Sequence, residues 1–407
     1  MPLRTQVRSR YRRRRVAAAA GIAGLAATGT TAGASTAAVL GRGWSLRRSS
    51  HVEGVVGIGD IGGIELLVAD RLVAIPWLVH GFSTRTGGES EIGEAHVLNL
   101  GFTDWDSRAC VSQNRRKLLR ALTAENMSLV ALRQLHSDLI RVISKPPERR
   151  PQEPQSLEPA GGACATQPSS RPEVPLSVAS SVSPSGAPLQ GDALITAQPG
   201  LLLAAQTADC VPILLADPVR RVAAAIHAGW RGTLARIAAK TVGRMRLEFG
   251  TRPGDVLAAI GPAIGRCCYE VGPEVAQAFL GQFAMAAEWF DGPFDRMALG
   301  EEPNFLPWLS MVPPGHDVPP ERVRLDLAAA NRWQLADAGV RPRNITVSSL
   351  CTACRSDLFF SYRREGKQTG RQMAVIGIKD GGIKNGGIKN GGIENGGIKD
   401  GDTRNDG

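Results

Sequence analysis

Short apolar runs separated by turn-forming residues occupy most of this 407-residue chain between residues 70 and 378. Runs of this length that are bounded by polar residues, Gly or Pro are typical of buried strands. The runs that predict strands are 201–206, 211–216, 222–226 and 372–378. Apolar residues at helical spacing predict three helices, at 107–121, 233–249 and 325–338. Strands close together in sequence with helices interspersed predict an α/β fold, an α+β layered sandwich in a single domain.

The first fifty residues have the composition of a targeting segment. They contain ten Arg and many Ala, Ser and Thr, but no Lys, Asp or Glu. Such composition is typical of transit peptides, which predicts a chloroplast or mitochondrial location and otherwise the cytoplasm. Two alternatives stay open for 1–50, namely an export signal or weak membrane anchor that begins at RRRR, and a plain disordered extension. Because 16–41 is mostly Ala, Gly and Thr, no stable membrane span is expected.

Two further segments lack the pattern of a packed core. Residues 145–189 contain ten Pro with abundant Ser, Gly and Gln, which predicts a disordered surface insertion. The tail at 379–407 repeats GGIKN-like units, whose paired glycines and single Ile cannot bury a core. The predicted domain is therefore 70–378, interrupted by 145–189 and followed by a low-complexity tail.

The formal net charge of +10 does not indicate a nucleic-acid partner, because the excess lies in the first fifty residues. The rest of the chain has 38 basic and 38 acidic side chains and is formally neutral. Aromatic residues make up only 5% of the chain, so a base-stacking surface is not expected either. We therefore predict that this protein binds no nucleic acid.

The cysteines do not form the pattern of a secreted disulfide framework. Their number is odd and two are adjacent: Cys110, Cys164, Cys210, Cys267, Cys268, Cys351 and Cys354. This distribution favours a reducing compartment. The CxxC formed by Cys351 and Cys354 fits redox chemistry or half of a zinc site, but the sequence has no second CxxC and no thioredoxin-like context. We expect a structural or auxiliary role for this motif.

Three residues supply the ligand types of a catalytic metal site: His136 in LRQLHSD, Cys210 in TADCVPILLAD and His227 in AAIHAGWRGT. Two imidazoles and a thiolate suit zinc, and three protein ligands leave a fourth position for water or substrate. Cys210 lies in a tight connection between two predicted strands, so we expect its side chain to turn out of the core. His227 precedes small residues and a helix start, where backbone can approach a ligand closely. The residues alone leave a metal site and a nucleophile site both open.

Two arginines are candidates for binding an anion. Arg85 lies in HGFSTRTGG, where two glycines permit a tight loop and the guanidinium can pair with phosphate oxygens. Arg231 places a positive charge at the helix start that follows His227. A surface-loop arginine is the alternative interpretation of Arg85. His80, in the same segment, is either a further site residue or an ordinary histidine at a strand end.

Seven segments in order resemble a known family over residues 75–378. They are HGFSTRTGG, RQLHSD, GDALIT, TADCVPILLAD, AAIHAGWRGT, IGPAIGRCCYEVG and CTACRSDLFFSYRREGKQTGRQMAVIGI. The set resembles the laccase-domain or multicopper polyphenol oxidoreductase family, which is described as purine nucleoside phosphorylases with adenosine deaminase activity. By position, His136, Cys210 and His227 match its zinc-binding and catalytic set. The long spacing between His136 and Cys210 follows from the Pro-rich insertion.

The resemblance implies phosphorolysis of adenosine, inosine and methylthioadenosine to a free base and a pentose 1-phosphate, and deamination of adenosine at the same zinc site. Purine nucleosides and phosphate are then the expected partners. Asp209, next to Cys210, is a candidate proton carrier or a residue that orients the metal ligands. The chain has no HxE motif of the nucleobase deaminases, so the catalytic base must differ.

Three other functions compete with this interpretation. A copper-dependent polyphenol oxidoreductase is disfavoured because multicopper sites need paired histidines, and the chain has six histidines with no HxH pair. A single copper in the same pocket remains an alternative to zinc. A non-catalytic interaction protein would use the Pro-rich segment and the Gly-rich tail. Editing of peptide or cell-wall precursors, found in some bacterial relatives, would need a cleft for a larger substrate.

Overall fold

Two six-stranded sheets carry the fold, and the predicted apolar runs form their central strands. A computed structural model describes residues 42–48, 63–145, 188–292 and 323–380, which all lie in one compact unit. In spatial order, the first sheet consists of β1 (Trp44–Arg48), β2 (Glu65–Ala69), β3 (Leu78–Ser83), β17 (Gln372–Ile378), β9 (Leu201–Thr207) and β6 (Ser128–Ala131). Neighbouring strands are antiparallel except β6 and β9, which are parallel.

The second sheet contains the hairpin on which the candidate ligands were predicted. In spatial order it consists of β16 (Ile345–Val347), β12 (Leu257–Ile260), β10 (Val211–Asp217), β11 (Val222–Ala228), β8 (Ala193–Thr196) and β7 (Ile140–Val142). The three central pairs are antiparallel, and the two edge pairs are parallel. The β10–β11 hairpin pairs Pro212 with His227, which fixes His227 at the end of the sheet where β10 begins.

Smaller elements complete the described chain. Two minor sheets consist of β4 (Thr86–Ile92) with β5 (Ala95–Val97), and of β13 (Glu270–Val271), β15 (Val323–Leu325) and β14 (Phe290–Asp291). The α-helices are α1 (Asp70–Val73), α2 (Arg108–Ala121), α3 (Trp230–Leu234), α4 (Ile237–Phe249), α5 (Pro273–Gln282), α6 (Leu327–Asp337) and α7 (Tyr362–Glu365). No helix in the described ranges is both long and apolar enough to cross a bilayer.

Both faces of each large sheet are covered, which gives a layered sandwich. Leu214 and Ala225 on β10 and β11 pack in one cluster with Leu203 of the first sheet. Ile213 and Ile226 on the same two strands belong to the cluster that contains residues of α4 and α6. Buried residues on the other face of β9 and β17 pack against α2. Strands that are buried on both faces need apolar residues at nearly every position, so they appear in the sequence as continuous apolar runs. Each large apolar side chain buried in this way stabilises the fold by about 1.5–3 kcal/mol.

The predicted α+β layered sandwich is therefore confirmed, with small shifts at the ends of elements. α2 begins at Arg108 because the Ser107 Oγ accepts the backbone N–H of Cys110 at 3.1 Å and caps the helix. The single helix predicted over 233–249 is two helices, α3 and α4. Arg236 separates them with a left-handed φ of 63°, which no helical residue adopts.

The folded region begins before residue 70, so the predicted boundary is too late. β1 pairs with β2 through Trp44 and Ala69, and the Trp44 ring packs edge-on against Phe82 with centroids 5.2 Å apart. Residues 42–48 fall inside the predicted N-terminal segment and nevertheless form the edge of the first sheet. The remainder of 1–50, nearly all of the predicted insertion 145–189 and the repeats of the tail lie outside the described residues.

Candidate metal site and active-site cleft

The fold brings His136, Cys210 and His227 together from three separate segments. His136 follows β6, Cys210 lies in the connection between β9 and β10, and His227 is on β11. The Cys210 Sγ and the His136 Nε2 are 3.8 Å apart, and the two imidazole rings meet edge-on with centroids 4.8 Å apart. One ligand atom from each residue lies within 4.8 Å of the others. We call these three residues the histidine–cysteine cluster.

Asp192 organises the cluster from behind. The His227 Nδ1–H donates to its Oδ1 at 2.9 Å, and the backbone N–H groups of His136 and Ser137 donate to its two oxygens at 3.0 and 2.8 Å. The Ser137 hydroxyl adds a further hydrogen bond at 2.6 Å. Burial acts to raise the pKa of Asp192, but the hydrogen bonds from His227 and Ser137 lower it to about 2. The carboxylate therefore stays ionised and holds the His227 ring through Nδ1, so Nε2 is the ring nitrogen that can bind a ligand once it has lost its proton.

The buried pair of Cys210 and His227 favours the charged forms of both side chains. Burial acts to raise the pKa of Cys210, but the nearby His227 and the hydrogen bond from His136 lower it to about 6. Burial acts to lower the pKa of His227, but the Cys210 sulfur and the Asp192 carboxylate raise it to about 9. A thiolate is the form of cysteine that binds metals and attacks electrophiles.

Gly229 makes the close approach of the ligands possible. A Cβ atom at this position would lie 2.9 Å from the His136 Cδ2 and 3.1 Å from the Cys210 Sγ. Any side chain there would push the histidine and the cysteine apart. The glycine after His227 therefore leaves room for the side chains of His136 and Cys210 to meet.

The cluster opens onto a cleft of about 710 Å³. The basic residues that line it are Arg133, Arg363, Lys367 and Arg371. Its aromatic residues are Phe102, Tyr269 and Tyr362. Burial lowers the pKa of Arg371, the most enclosed of the four cations. Gly101 provides the room for this side chain, because a Cβ at 101 would lie 2.5 Å from the Arg371 Cγ.

Asp209 lines the cleft, but both of its carboxylate oxygens already accept hydrogen bonds. The Thr352 hydroxyl donates to Oδ1 at 2.6 Å, and the backbone N–H of Arg363 donates to Oδ2 at 2.7 Å. The residue has a φ of 96°, an unusual value for a side chain other than Gly. These bonds join the connection that carries Cys210 to two later loops of the chain.

Arg85, a candidate phosphate ligand in the sequence, does not line the cleft. Its guanidinium donates to the carbonyl of Ser356 at 2.8 Å, pairs with Glu365 and lies over the Phe360 ring. This arginine therefore fixes the loop before α7 and has its charge already neutralised. Arg231 also lies outside the cleft lining, where it is exposed and stacks on the Trp230 ring at 4.3 Å. Neither arginine is among the residues that line this cleft, and the anion-binding role predicted for them stays a prediction.

His80 does not join the site either. It is a buried residue of β3, and its Nε2 accepts the backbone N–H of Ala69 at 3.0 Å. It lines a separate cavity with Arg47 and Lys379. Burial and the charge of Arg47 lower its pKa to about 4, so the imidazole is neutral. Of the two interpretations given for His80, the structure therefore favours an ordinary strand histidine over a further site residue.

Sequence reasoning assigned no role to Asp192 or to the four basic residues of the cleft. Asp192 lies directly before the apolar run of β8, a position that carries no specific signal for a carboxylate beside a metal ligand. Three of the basic residues lie within FSYRREGKQTGRQ, where closely spaced charges ordinarily indicate a solvated surface. Only the tertiary structure shows that these charges point into a shared cleft.

Comparison with known proteins gives the same family over most of the folded region. The family described as multi-copper polyphenol oxidoreductase laccase matches residues 79–379. The purine nucleoside phosphorylase of Deinococcus radiodurans is 37% identical over 316 residues, which cover 78% of this chain and 94% of that protein. The purine nucleoside phosphorylase YlmD of Geobacillus stearothermophilus is 33% identical over 302 residues, covering 74% and 90%.

Solved structures agree with this assignment. The crystal structure of the Bacillus licheniformis hypothetical protein YfiH has a TM-score of 0.58 and 31% identity, and the match covers 77% of this chain and 96% of that one. The crystal structure of YlmD from Geobacillus stearothermophilus has a TM-score of 0.56 and 30% identity with the same coverage. The chain therefore belongs to the multi-copper polyphenol oxidoreductase laccase family.

Proposed function

We propose that this protein is a purine nucleoside phosphorylase that cleaves adenosine, inosine and S-methyl-5′-thioadenosine with phosphate, and that the same site deaminates adenosine. The observation that supports this most is the meeting of three metal-ligand side chains, four cations and three aromatic rings in one cleft. The volume of about 710 Å³ suits a nucleoside together with phosphate. The relatives named purine nucleoside phosphorylase support the same reaction class.

The donor set of the histidine–cysteine cluster fits a zinc ion. His136, Cys210 and His227 provide two nitrogens and one sulfur, and Asp192 orients the buried histidine from behind. Exposure of His136 toward the cleft leaves one side of the cluster open to a fourth ligand. A zinc ion held there would polarise a substrate atom or acidify a water molecule for deamination. Copper binds the same donor types and is the alternative metal.

The cations of the cleft supply the phosphate site. Phosphorolysis breaks the bond between C1′ of the sugar and the purine nitrogen and forms a bond from C1′ to a phosphate oxygen. Phosphate must therefore lie against the sugar, and a partly desolvated guanidinium such as Arg371 holds an anion more strongly than one in water. Arg363 on α7 and Lys367 in the turn that follows α7 add to the positive field. These residues replace Arg85 and Arg231 as the proposed phosphate ligands.

Tyr269 is suited to the leaving purine. Burial, together with the nearby charges of Cys210 and Asp209, raises its pKa, so its hydroxyl remains protonated. A protonated hydroxyl can donate a hydrogen bond to the base as the electron pair of the breaking bond moves onto the purine. Its ring and that of Tyr362 offer apolar faces to the heterocycle. Asp209 acts as a positioning residue in this arrangement, because its oxygens are occupied.

The test is incubation of the full chain with adenosine, with and without phosphate, with adenine, inosine and hypoxanthine resolved by chromatography. We expect adenine and ribose 1-phosphate only when phosphate is present, and inosine in both samples. Arg371→Gln should raise the KM for phosphate about tenfold with little change in deamination. Arg220→Gln serves as its control away from the cleft, because Arg220 is exposed in the turn between β10 and β11. Adenine release that does not depend on phosphate would contradict phosphorolysis.

Oxidation of phenols by bound copper is the second candidate, because the family description names that activity. Within the described residues, however, the cleft holds two histidines and one cysteine, too few for several coppers. Oxygen uptake with a phenolic substrate by copper-loaded protein would support this candidate. Zinc in protein purified without added metal, together with no oxygen uptake, would exclude it.

A further inference from the structure

Four cysteine side chains that the proposed reaction does not use form a second cluster. Cys267 and Cys268 come from the loop after β12, and Cys351 and Cys354 come from the CxxC loop after β16. The Cys354 Sγ lies 3.5 Å from the Cys267 Sγ and 3.4 Å from the Cys268 Sγ. All four sulfurs lie within 4.8 Å of one another. The adjacent pair thus provides the partner that the single CxxC lacked in the sequence. We call these residues the four-cysteine cluster.

The backbone around this cluster is arranged for sulfur ligands. The Gly265 N–H donates to the Cys351 Sγ at 3.2 Å, a hydrogen bond that stabilises negative charge on sulfur. A Cβ atom at 265 would lie 3.2 Å from both the Cys267 Sγ and the Cys351 Cβ, so glycine allows the two loops to meet. The Thr352 N–H donates to the Ala263 carbonyl at 3.0 Å and ties the loops together.

The spacing of the sulfurs matches a tetrahedral metal site. Zinc–sulfur bonds of about 2.3 Å place the sulfurs of a tetrahedral site roughly 3.8 Å apart. A disulfide needs sulfurs at about 2.05 Å, far closer than the measured separations of 3.4 and 3.5 Å. Cys267 and Cys354 are exposed, whereas Cys351 is buried, so an ion can enter from solvent and be held from the inside.

We propose that Cys267, Cys268, Cys351 and Cys354 bind one zinc ion in a closed structural site, separate from the histidine–cysteine cluster. Four protein ligands leave no position for substrate, which is the arrangement of structural zinc. The site would clamp two loops that reach the cleft. One loop continues into Tyr269, and the other carries Thr352, whose hydroxyl binds Asp209 beside Cys210. The metal would thereby hold one wall of the active-site cleft.

The experiment is metal analysis of the full chain purified without added metal. We expect two zinc ions per chain in the wild type and a loss of one in either Cys354→Ser or Cys210→Ala. Cys110→Ser is the matched control, because Cys110 is a buried cysteine outside both clusters, and it should keep both ions. X-ray absorption of the Cys210→Ala protein should show only sulfur neighbours at about 2.3 Å around the remaining zinc.

Three results would overturn the proposal. The first is wild-type zinc content in Cys354→Ser, and the second is nitrogen ligands around the zinc of Cys210→Ala. The third is a disulfide among the four cysteines in protein purified under anaerobic conditions. If Cys354→Ser does not fold, alkylation of wild-type protein decides the question. Zinc should slow alkylation of these four cysteines several-fold relative to chelator-treated protein, and equal rates would contradict the site. None of these readouts depends on nucleoside cleavage.

Discussion

The two ligand clusters are joined through the Asp209–Thr352 hydrogen bond, yet they differ in the properties that separate reactive from structural metal sites. The histidine–cysteine cluster has three side chains that can serve as mixed nitrogen and sulfur ligands, a carboxylate that orients its buried histidine, and one side open to the cleft. The four-cysteine cluster has only sulfur ligands and a backbone N–H donor, and none of its cysteines lines the cleft. The ligand number and the surroundings, rather than the presence of cysteine, separate the proposed roles.

The proposed structural site would act on the cleft through a hydrogen bond beside Cys210. Thr352, inside the CxxC, binds the carboxylate of Asp209, and Asp209 immediately precedes Cys210. Asp209 is held at a φ of 96°, a conformation that persists only when its surroundings impose it. The loops of the four-cysteine cluster are part of those surroundings. Loss of the proposed zinc ion from the four-cysteine cluster should therefore loosen the position of Asp209 and Cys210 without removing any side chain of the histidine–cysteine cluster.

The largest expected effect separates the two clusters by activity. Cys210→Ala should lower phosphorolysis of adenosine by at least about 1000-fold, because the change removes a ligand of the reacting centre. Cys354→Ser should lower the same rate by no more than about tenfold, because it acts only through the positions of two loops. Steady-state rates on protein shown by circular dichroism to be folded provide the measurement. Equal losses in the two variants would mean that the clusters do not have separate roles.

The second prediction concerns His80, which lies outside both clusters, and the pH dependence of the free energy of unfolding. Folded His80 has a pKa of about 4, below the ordinary value near 6.5, because of burial and the charge of Arg47, with Lys379 lining the same cavity. Between these values the unfolded chain binds a proton that the folded chain does not. The free energy of unfolding is therefore highest above pH 6.5. It decreases as the pH falls toward 4, by at most about 3 kcal/mol.

His80→Gln should flatten this pH dependence, since glutamine offers an acceptor to the backbone but does not titrate in this range. The measurement is the midpoint of urea unfolding between pH 4 and 7, an interval spanning the two pKa values. The matched control is His96→Gln, because His96 is exposed on β5 and should leave the profile unchanged. If the wild-type and His80→Gln profiles coincide, burial of this imidazole does not govern the acid sensitivity.

The third prediction tests whether Asp192 holds the orientation of the buried His227. Asp192→Asn keeps the size of the side chain but removes the charge that fixes His227 and accepts from His136 and Ser137. Residues in this position typically contribute about 10–100-fold to metal affinity or activity. We expect a loss of that size in zinc affinity at the histidine–cysteine cluster, measured by competition with a chelator. Zinc at the four-cysteine cluster should be retained, and its loss as well would indicate general unfolding.

The sequence predicts the strands and singles out the three residues of the histidine–cysteine cluster, because both depend on local patterns. The run at 372–378 and strand β17 coincide, and His136, Cys210 and His227 converge as expected. The sequence could not place the arginines relative to the cleft, because a glycine-rich loop permits a tight turn at Arg85 but does not determine the direction of its side chain. Its partner Glu365 is distant in sequence.

The sequence indicates only two of the four cysteines in the four-cysteine cluster, for a related reason. Cys351 and Cys354 have a recognisable spacing, whereas the adjacent Cys267 and Cys268 match no common metal motif. Their meeting depends on the pairing of β12 with β16, which places the loops after these two parallel strands side by side. Pairing of strands so distant in sequence cannot be inferred from the spacing of residues within either loop. Asp192 was missed likewise, since its partners come from two other segments, the loop after β6 and strand β11.

The smallest expected effect tests the link between the clusters. Thr352→Val removes the hydroxyl that donates to Asp209 while keeping the shape of the buried side chain. We expect a loss of about 1.5 kcal/mol in unfolding free energy and a fall of severalfold in kcat, with both zinc ions retained. Thr251→Val is the matched control, because Thr251 is equally buried and its hydroxyl has no hydrogen-bond partner within the described structure. A fall in stability without any change in kcat would show that the four-cysteine loops support the fold alone, and that Asp209 does not transmit their position to Cys210.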